Sequence, residues 1–358
     1  MNRIAMIPGR FRRRVAAAAL IVLVAIATAV AIAFAFGFEF SGLAGNLRRY
    51  ARAGATAPAK LTLGVPAVPS FANVILAHEL GYFKEEGLEV AIKWYPTGAA
   101  ACADMLAGKI DIALTADTPI ALMALKGKRF DVLATTFESG DFLKMVARRD
   151  RGIEKPSDLA GRKLGSAFGT TAEFTQDSIL AINRIAPASV IRVNLAPARA
   201  VEALLAAEVD AVTIWAPYTR ELIERLGDAA IIIGDNTISL TTINVVAPEG
   251  TARRQPEEMR RMLAAIVRAT RLIHTDTDRS IGAIARVLGL SASTVRADMR
   301  SADFVVVLNQ SLIILLEDQA RWAIKRGIVE AGEVPNFLEF IHADALAAVQ
   351  PDAVSVIR

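Results

Sequence analysis

Hydrophobic and polar positions along residues 61–247 follow two alternating rhythms. Leu61-Thr62-Leu63-Gly64-Val65 alternates with period two and stops at Pro66, which predicts a strand. Asn73–Leu80 then reads as a short helix closed by Gly81. Leu88–Tyr95 is a strand, Ala99–Leu106 a helix and Ile110–Leu114 a strand. Pro119 opens another helix, since proline prefers the first turn, and Val132–Phe137 is a strand. A second unit repeats the rhythm: strand Lys163–Ala167, helix Ala172–Ile185, strand Ile191–Leu195, helix Ala200–Ala207, strand Ala211–Trp215, and a helix from Pro217 to Arg225. Strands alternating with helices predict parallel sheets covered by helices. Phe142–Arg148 and Thr242–Ala247 flank the second unit as extended apolar segments and read as crossovers. Beyond Ala247 the chain turns helical at 256–274, 280–288 and 311–325. The expected architecture is an α/β fold of two lobes, each with a parallel-type sheet, joined by two crossover segments. Lobe one takes residues 61–143 and 246–358, lobe two residues 144–245, and the hinge lies near Lys144 and Asn244.

The N-terminal region has a different pattern. Val15–Phe36 is apolar apart from Thr28, and as a helix of about 22 residues it spans ~33 Å, enough for a bilayer core. Arg3, Arg10, Arg12, Arg13 and Arg14 precede it, so the positive-inside rule keeps residues 1–14 in the cytoplasm and exports the chain beyond Phe36. Residues 15–37 are expected to be a transmembrane signal anchor or, with Ala33 and Ala35 as small residues before a cleavage point, a signal peptide. Residues 38–60 read as a linker.

Charge changes the picture of possible partners. The sequence pI is 9.3, but residues 1–60 hold nine Lys or Arg against the single acid Glu39. The remaining residues carry 32 basic and 36 acidic side chains, a mildly acidic body without a nucleic-acid footprint. That balance and the exported topology also count against DNA binding by Ile281–Met299, which has the helix, glycine and second helix of a helix-turn-helix. A surface helical hairpin is the plainer reading. The only cysteine, Cys102, permits no internal disulfide and lies too far along the chain for lipid attachment. His78, His274 and His342 are scattered, so no metal site is expected. No catalytic motif appears, and neither a catalytic residue nor a cofactor is expected.

In open α/β sheets, ligands gather beyond the carboxyl ends of the strands. Those loops supply Ser70 and Phe71, Gly98, Thr115 and Asp117, and Glu138 from the first unit. The second supplies Gly169, Thr170, Thr171, Glu173, Trp215 and Tyr218. Gly169-Thr170-Thr171 at a helix start suits an anion, because backbone N–H groups and the helix dipole favour negative charge there. The same residues also suit ordinary N-capping completed by Glu173. Trp215 and Tyr218 suit either a pocket wall or core packing. Asp117, Glu138 and Glu173 are solvated charges or, facing the cleft, partners for an amine.

Several longer runs carry a resemblance. They are Ala77-His78-Glu79-Leu80-Gly81-Tyr82-Phe83 with Glu85-Glu86-Gly87-Leu88, Asp111-Ile112-Ala113 with Thr115-Ala116-Asp117-Thr118-Pro119, Ser157-Asp158-Leu159-Ala160-Gly161-Arg162-Lys163-Leu164-Gly165, Gly169-Thr170-Thr171, and Val209-Asp210-Ala211-Val212 leading to Trp215-Ala216-Pro217-Tyr218. From about Leu61 onward the chain resembles the nitrate/sulfonate/taurine group of ABC-transporter solute-binding proteins. The resemblance implies the type 2 periplasmic-binding-protein fold and lobes that close on a solute. It also implies a non-enzymatic, extracytoplasmic protein that passes a small anion or zwitterion to an inner-membrane ABC permease; a monomer is expected, though no residue pattern speaks to the oligomeric state. An anionic head is then expected on the Thr170-Thr171 helix start. The family includes binders of thiamine pyrimidine precursors and a fungal enzyme whose cysteine-rich motif has no counterpart here. A membrane-tethered ligand sensor is the competing reading, and it would need a transmitter domain that is not expected after Arg358.

Overall fold

A computed structural model describes residues 58–234, 240–300, 302–330 and 332–357. The expected membrane segment and linker lie outside them, except for Pro58, Ala59 and Lys60. Among the described residues no helix is long and apolar enough to cross a membrane.

Counting helices of eight residues or more, the first half runs β1 (Ala59–Pro66), α1 (Ala72–Glu79), β2 (Leu88–Tyr95), α2 (Gly98–Leu106), β3 (Ile112–Ala116), α3 (Asp117–Leu125), β4 (Phe130–Ser139) and β5 (Leu143–Arg148). Then come β6 (Lys163–Ser166), α4 (Thr171–Ile182), β7 (Ile191–Asn194), α5 (Pro197–Leu205), β8 (Ala211–Trp215), α6 (Tyr218–Leu226) and β9 (Ala230–Ile233). The chain closes with β10 (Thr241–Pro248), α7 (Pro256–Thr275), α8 (Thr277–Leu288), α9 (Ala292–Met299), β11 (Asp303–Val307) and α10 (Gln310–Lys325).

One sheet has the order β11-β4-β10-β3-β1-β2 and the other β7-β6-β8-β5-β9. The middle strands β3, β4 and β10 are buried almost throughout, as strands covered on both faces must be. The edge strand β2 mixes buried and exposed positions instead. One apolar core runs from the first sheet into residues of the second, including Val146, Ala172 and Trp215.

Both sheets are mixed, which corrects the expected parallel type. Strand β10 is antiparallel to β3 and β4, and β5 is antiparallel to β8 and β9. The cause is geometric. The carboxyl ends of the two sheets face each other, so a chain crossing the gap enters the next sheet at that end and must run backwards through it. The expected crossovers Phe142–Arg148 and Thr242–Ala247 are therefore chiefly strands. The expected hinge residues move with them. Lys144 pairs within the second sheet, and Asn244 is fully buried in the first, where Oδ1 accepts from Thr135 (2.7 Å) and Nδ2 donates to Thr242 (2.9 Å). The passages between sheets lie between Ser139 and Leu143 and between Ile233 and Thr241. The expected lobe boundary at 245 falls inside β10.

Candidate functional site

The tips of β1 and β3 in one sheet and of β8 and the β6–α4 turn in the other surround one small cavity. Its apolar wall includes Phe71, Pro119, Phe142, Trp215 and Ile243. Phe142 lies on the passage between sheets. Its ring stacks on Trp215 at 6.4 Å and meets Phe137 edge-on at 5.3 Å, so an aromatic series bridges the two lobes. The polar wall is hydroxyl and backbone: Thr97, Gly98, Thr115, Thr170 and Thr171. No charged side chain lines it.

The starts of α2, α3 and α4 all reach this cavity. Each helix start leaves N–H groups without intrahelical partners and carries a positive dipole end, so their convergence favours negative charge. At α2, Thr97 Oγ1 accepts the Ala100 N–H (3.2 Å) and Thr97 O the Ala101 N–H (3.3 Å). The N–H groups of Gly98 and Ala99 are left without a partner in the helix. Gly98 is there because nothing larger fits: a Cβ would sit 2.5 Å from Thr115 Oγ1 and 2.6 Å from Thr115 Cα. Thr115 is fully buried, and its Oγ1 has no nitrogen or oxygen partner.

The α4 start is different. Thr170 Oγ1 accepts the Ala172 N–H (3.3 Å) and donates to Ala167 O (2.6 Å). The Gly169 N–H is taken by Glu173 Oε2 (2.8 Å). Thr171 Oγ1 donates across the lobes to Asp117 Oδ1 (2.6 Å). The capping reading of Gly169-Thr170-Thr171 thus holds, and both hydroxyl protons are committed within the protein.

Six of the expected site residues line the cavity: Phe71, Gly98, Thr115, Thr170, Thr171 and Trp215. The other six do not. Ser70 is buried with an unpartnered Oγ, and Tyr218 packs edge-on against Trp215 at 6.4 Å. Gly169 and Glu173 bond each other within the β6–α4 turn. Glu138 accepts from Asn309 Nδ2 (3.1 Å). Asp117 is fully buried and accepts from Thr118 N (2.8 Å) and Thr242 N (2.8 Å) as well as Thr171. Burial pushes its carboxyl above the usual range, while those hydrogen bonds pull the other way. Each of the three acids thus has at least one partner within the protein, and none lines the cavity. Thr97, Pro119, Phe142 and Ile243 line the cavity without being expected there. Thr97 lies in a strand-tip loop, where the loop rule could have found it, but Phe142 and Ile243 fall in segments that read as crossovers.

Cys102 is buried on α2, and burial pushes its thiol up to about 12. Among the described residues no cluster of His, Cys, Asp and Glu could hold a metal ion.

A family profile described as NMT1/THI5 like matches residues 68–280. A taurine-binding periplasmic protein of Escherichia coli is 26% identical over 141 residues, 39% of this chain and 43% of that protein, so the alignment spans under half of that relative's length. The periplasmic aliphatic sulphonate binding protein of Escherichia coli superposes with a TM-score of 0.68 at 20% identity, covering 79% of this chain and 97% of that one. The desulfurization enzyme DSZB superposes with a TM-score of 0.61 at 16% identity, covering 82% and 99%. At these identities the structural likeness is one of fold, the α/β fold of periplasmic binding proteins.

Proposed function

Since the chain belongs to the NMT1/THI5-like family, we propose that it is the extracytoplasmic solute-binding component of an ABC importer, and that its solute is a small organic anion with an apolar tail, of the aliphatic sulfonate class. The carrying observation is the cavity itself: helix starts from both lobes converge on an apolar space with no charged side chain. The anionic head rests on the α2 start, where Gly98 N, Ala99 N and the Thr115 hydroxyl offer donors. Phe71, Phe142 and Trp215 enclose the tail. Thr170 and Thr171 complete the wall, and closure dries the site and strengthens the head-group bonds. The N-terminal apolar run exports the body and, uncleaved, tethers it beside the permease as a monomer.

No acid lines the cavity, which favours a plain alkyl anion over the zwitterion that the sequence leaves open.

The test is a thermal-shift panel on the full chain with propanesulfonate, taurine, nitrate, a short carboxylate and an aminopyrimidine. A ligand that binds the folded state alone raises the melting point. Propanesulfonate is expected to give the largest rise and to exceed taurine, its amine-bearing isostere. A larger rise with the aminopyrimidine, or none with any sulfonate, would overturn the assignment.

A further inference from the structure

Two buried carboxylates away from the cavity join the lobes. Asp298 sits on α9, the second helix of the hairpin that resembles a DNA-binding motif. Gly289, in the left-handed conformation, ends α8, and Ser291 caps α9 by accepting the Thr294 N–H (3.0 Å). Asp298 faces inward with its side chain 1% exposed. Its Oδ1 accepts Nε (3.1 Å) and an η-nitrogen (2.8 Å) of Arg220, which belongs to α6 of the other lobe. Its Oδ2 is buried without a partner.

The second carboxylate is Asp177 on α4, 5% exposed. It pairs with Arg192 in its own lobe, and its Oδ2 accepts from Trp322 Nε1 (3.0 Å) on α10 and from Arg326 Nε (2.6 Å) at the cap of α10, both in the other. Trp322 also meets Phe174 of α4 edge-on at 5.3 Å. Each outer pairing therefore binds a helix of one lobe to a helix of the other.

Burying a carboxylate is costly unless it is paired, and here each buried carboxylate draws a charged partner from the other lobe, Arg220 with its side chain 34% exposed and Arg326 with 28%. What such a pair adds is a geometry that fails when its partners separate. We propose that Arg220–Asp298 and Asp177–Arg326 are latches holding the lobes shut before a solute arrives, and that the α8–α9 hairpin is the first lobe's arm of one latch. The hairpin also reaches the cavity, because α9 packs on the turn Pro69–Phe71 that supplies Phe71 to its wall. Latch strength then sets the fraction of closed molecules, and with it the apparent affinity. This last step rests on the solute-binding reading; the latches themselves do not.

The test uses the full chain with spin labels at Lys128→Cys and Lys155→Cys, exposed positions in different lobes, since the native Cys102 is buried. Without ligand, the parent protein is expected to show one short interlobe distance. Asp298→Asn and Asp177→Asn each add a longer one, and the double variant is mostly open. In the double variant propanesulfonate association speeds up, release speeds up more, and Kd rises about tenfold. Circular dichroism checks folding. If a variant does not fold, Arg220→Lys and Arg326→Lys keep the charge but lose the guanidinium fork, and are read in its place. Distances unchanged in all variants would overturn the latches. Longer distances with no sulfonate bound by any variant would uphold the latches and sink the solute assignment.

Discussion

Two helix starts face the same cavity, and they differ in what their own chain has already taken. The α4 start carries the more suggestive sequence, Gly169-Thr170-Thr171. Its glycine N–H is held by Glu173, one hydroxyl proton goes to Ala167 O, and the other goes to Asp117. The α2 start carries only Pro96-Thr97-Gly98, yet two N–H groups there have no helical partner, against Thr171 N alone at α4, and Thr115 brings a hydroxyl with no nitrogen or oxygen partner. The dipole is the same at both. The difference shows that an anion site needs donors with nothing better to do, and neighbours in space decide that as much as residue type does.

The comparison can be broken most forcefully at Gly98. Gly98→Ala drives a methyl against the backbone of Thr115, so the α2 start must move. Overpacking of this kind costs about 1–3 kcal/mol of stability by denaturant unfolding, and propanesulfonate affinity should fall more than tenfold by calorimetry. Retained affinity would place the head elsewhere. Thr115→Val, nearly the same shape, sharpens the comparison. It removes the hydroxyl and should weaken binding about tenfold, or ~1.4 kcal/mol, while the melting temperature stays nearly level, because the buried hydroxyl has no nitrogen or oxygen partner to lose.

Thr170→Ala probes the opposing helix start. Losing the cap costs about 1 kcal/mol of stability, yet Kd by calorimetry should shift less than about threefold. A tenfold loss there would return the head group to α4. The smallest effect belongs to a third helix start, in solvent. Glu257 in the first turn of α7 bonds Arg260 (2.8 Å) and Arg261 (3.0 Å), and its carboxyl is lowered to about 2, chiefly by Arg260. A lowered carboxylate lends stability above its ordinary value of 4.5, and loses it as pH falls from there through about 2. The pair is half-exposed, so water screens it. Glu257→Gln should cost well under 1 kcal/mol at neutral pH, with the cost shrinking as pH falls from 4.5 and vanishing below about 2, measured by denaturant unfolding.

Periodicity suffices where an element's neighbours are implied by its own pattern. Strands β2 and β8 occupy the residues the pattern assigns them, and α7 ends one residue past its predicted end. Helix α3 begins at Asp117, two residues ahead of Pro119. The first four N–H groups of a helix need no partner, so proline fits throughout that turn and does not mark its start. Strand β10 reads as a crossover because its role depends on entering the first sheet between β3 and β4, a fact of topology that no local pattern carries. The short strands β9 and β11 are a different case: their β-branched runs, Ile231–Ile233 and Val305–Val307, are present in the pattern, but the expected elements leave them out.

At the site, half the expected residues reach the cavity. The strand-tip rule finds the right loops but not which way each side chain turns. Glu173 lies four residues beyond Gly169, so its bond to that N–H is legible as a cap. The contact of Thr171 with Asp117, 54 residues apart, is not.

The most direct measurement is a crystal structure of the full chain with propanesulfonate. Sulfonate oxygens within hydrogen-bond reach of Gly98 N, Ala99 N and Thr115 Oγ1, with the propyl chain against Phe142 and Trp215, are the predicted result. A sulfonate seated on the Gly169–Thr171 turn, or bound outside the cavity, would contradict it.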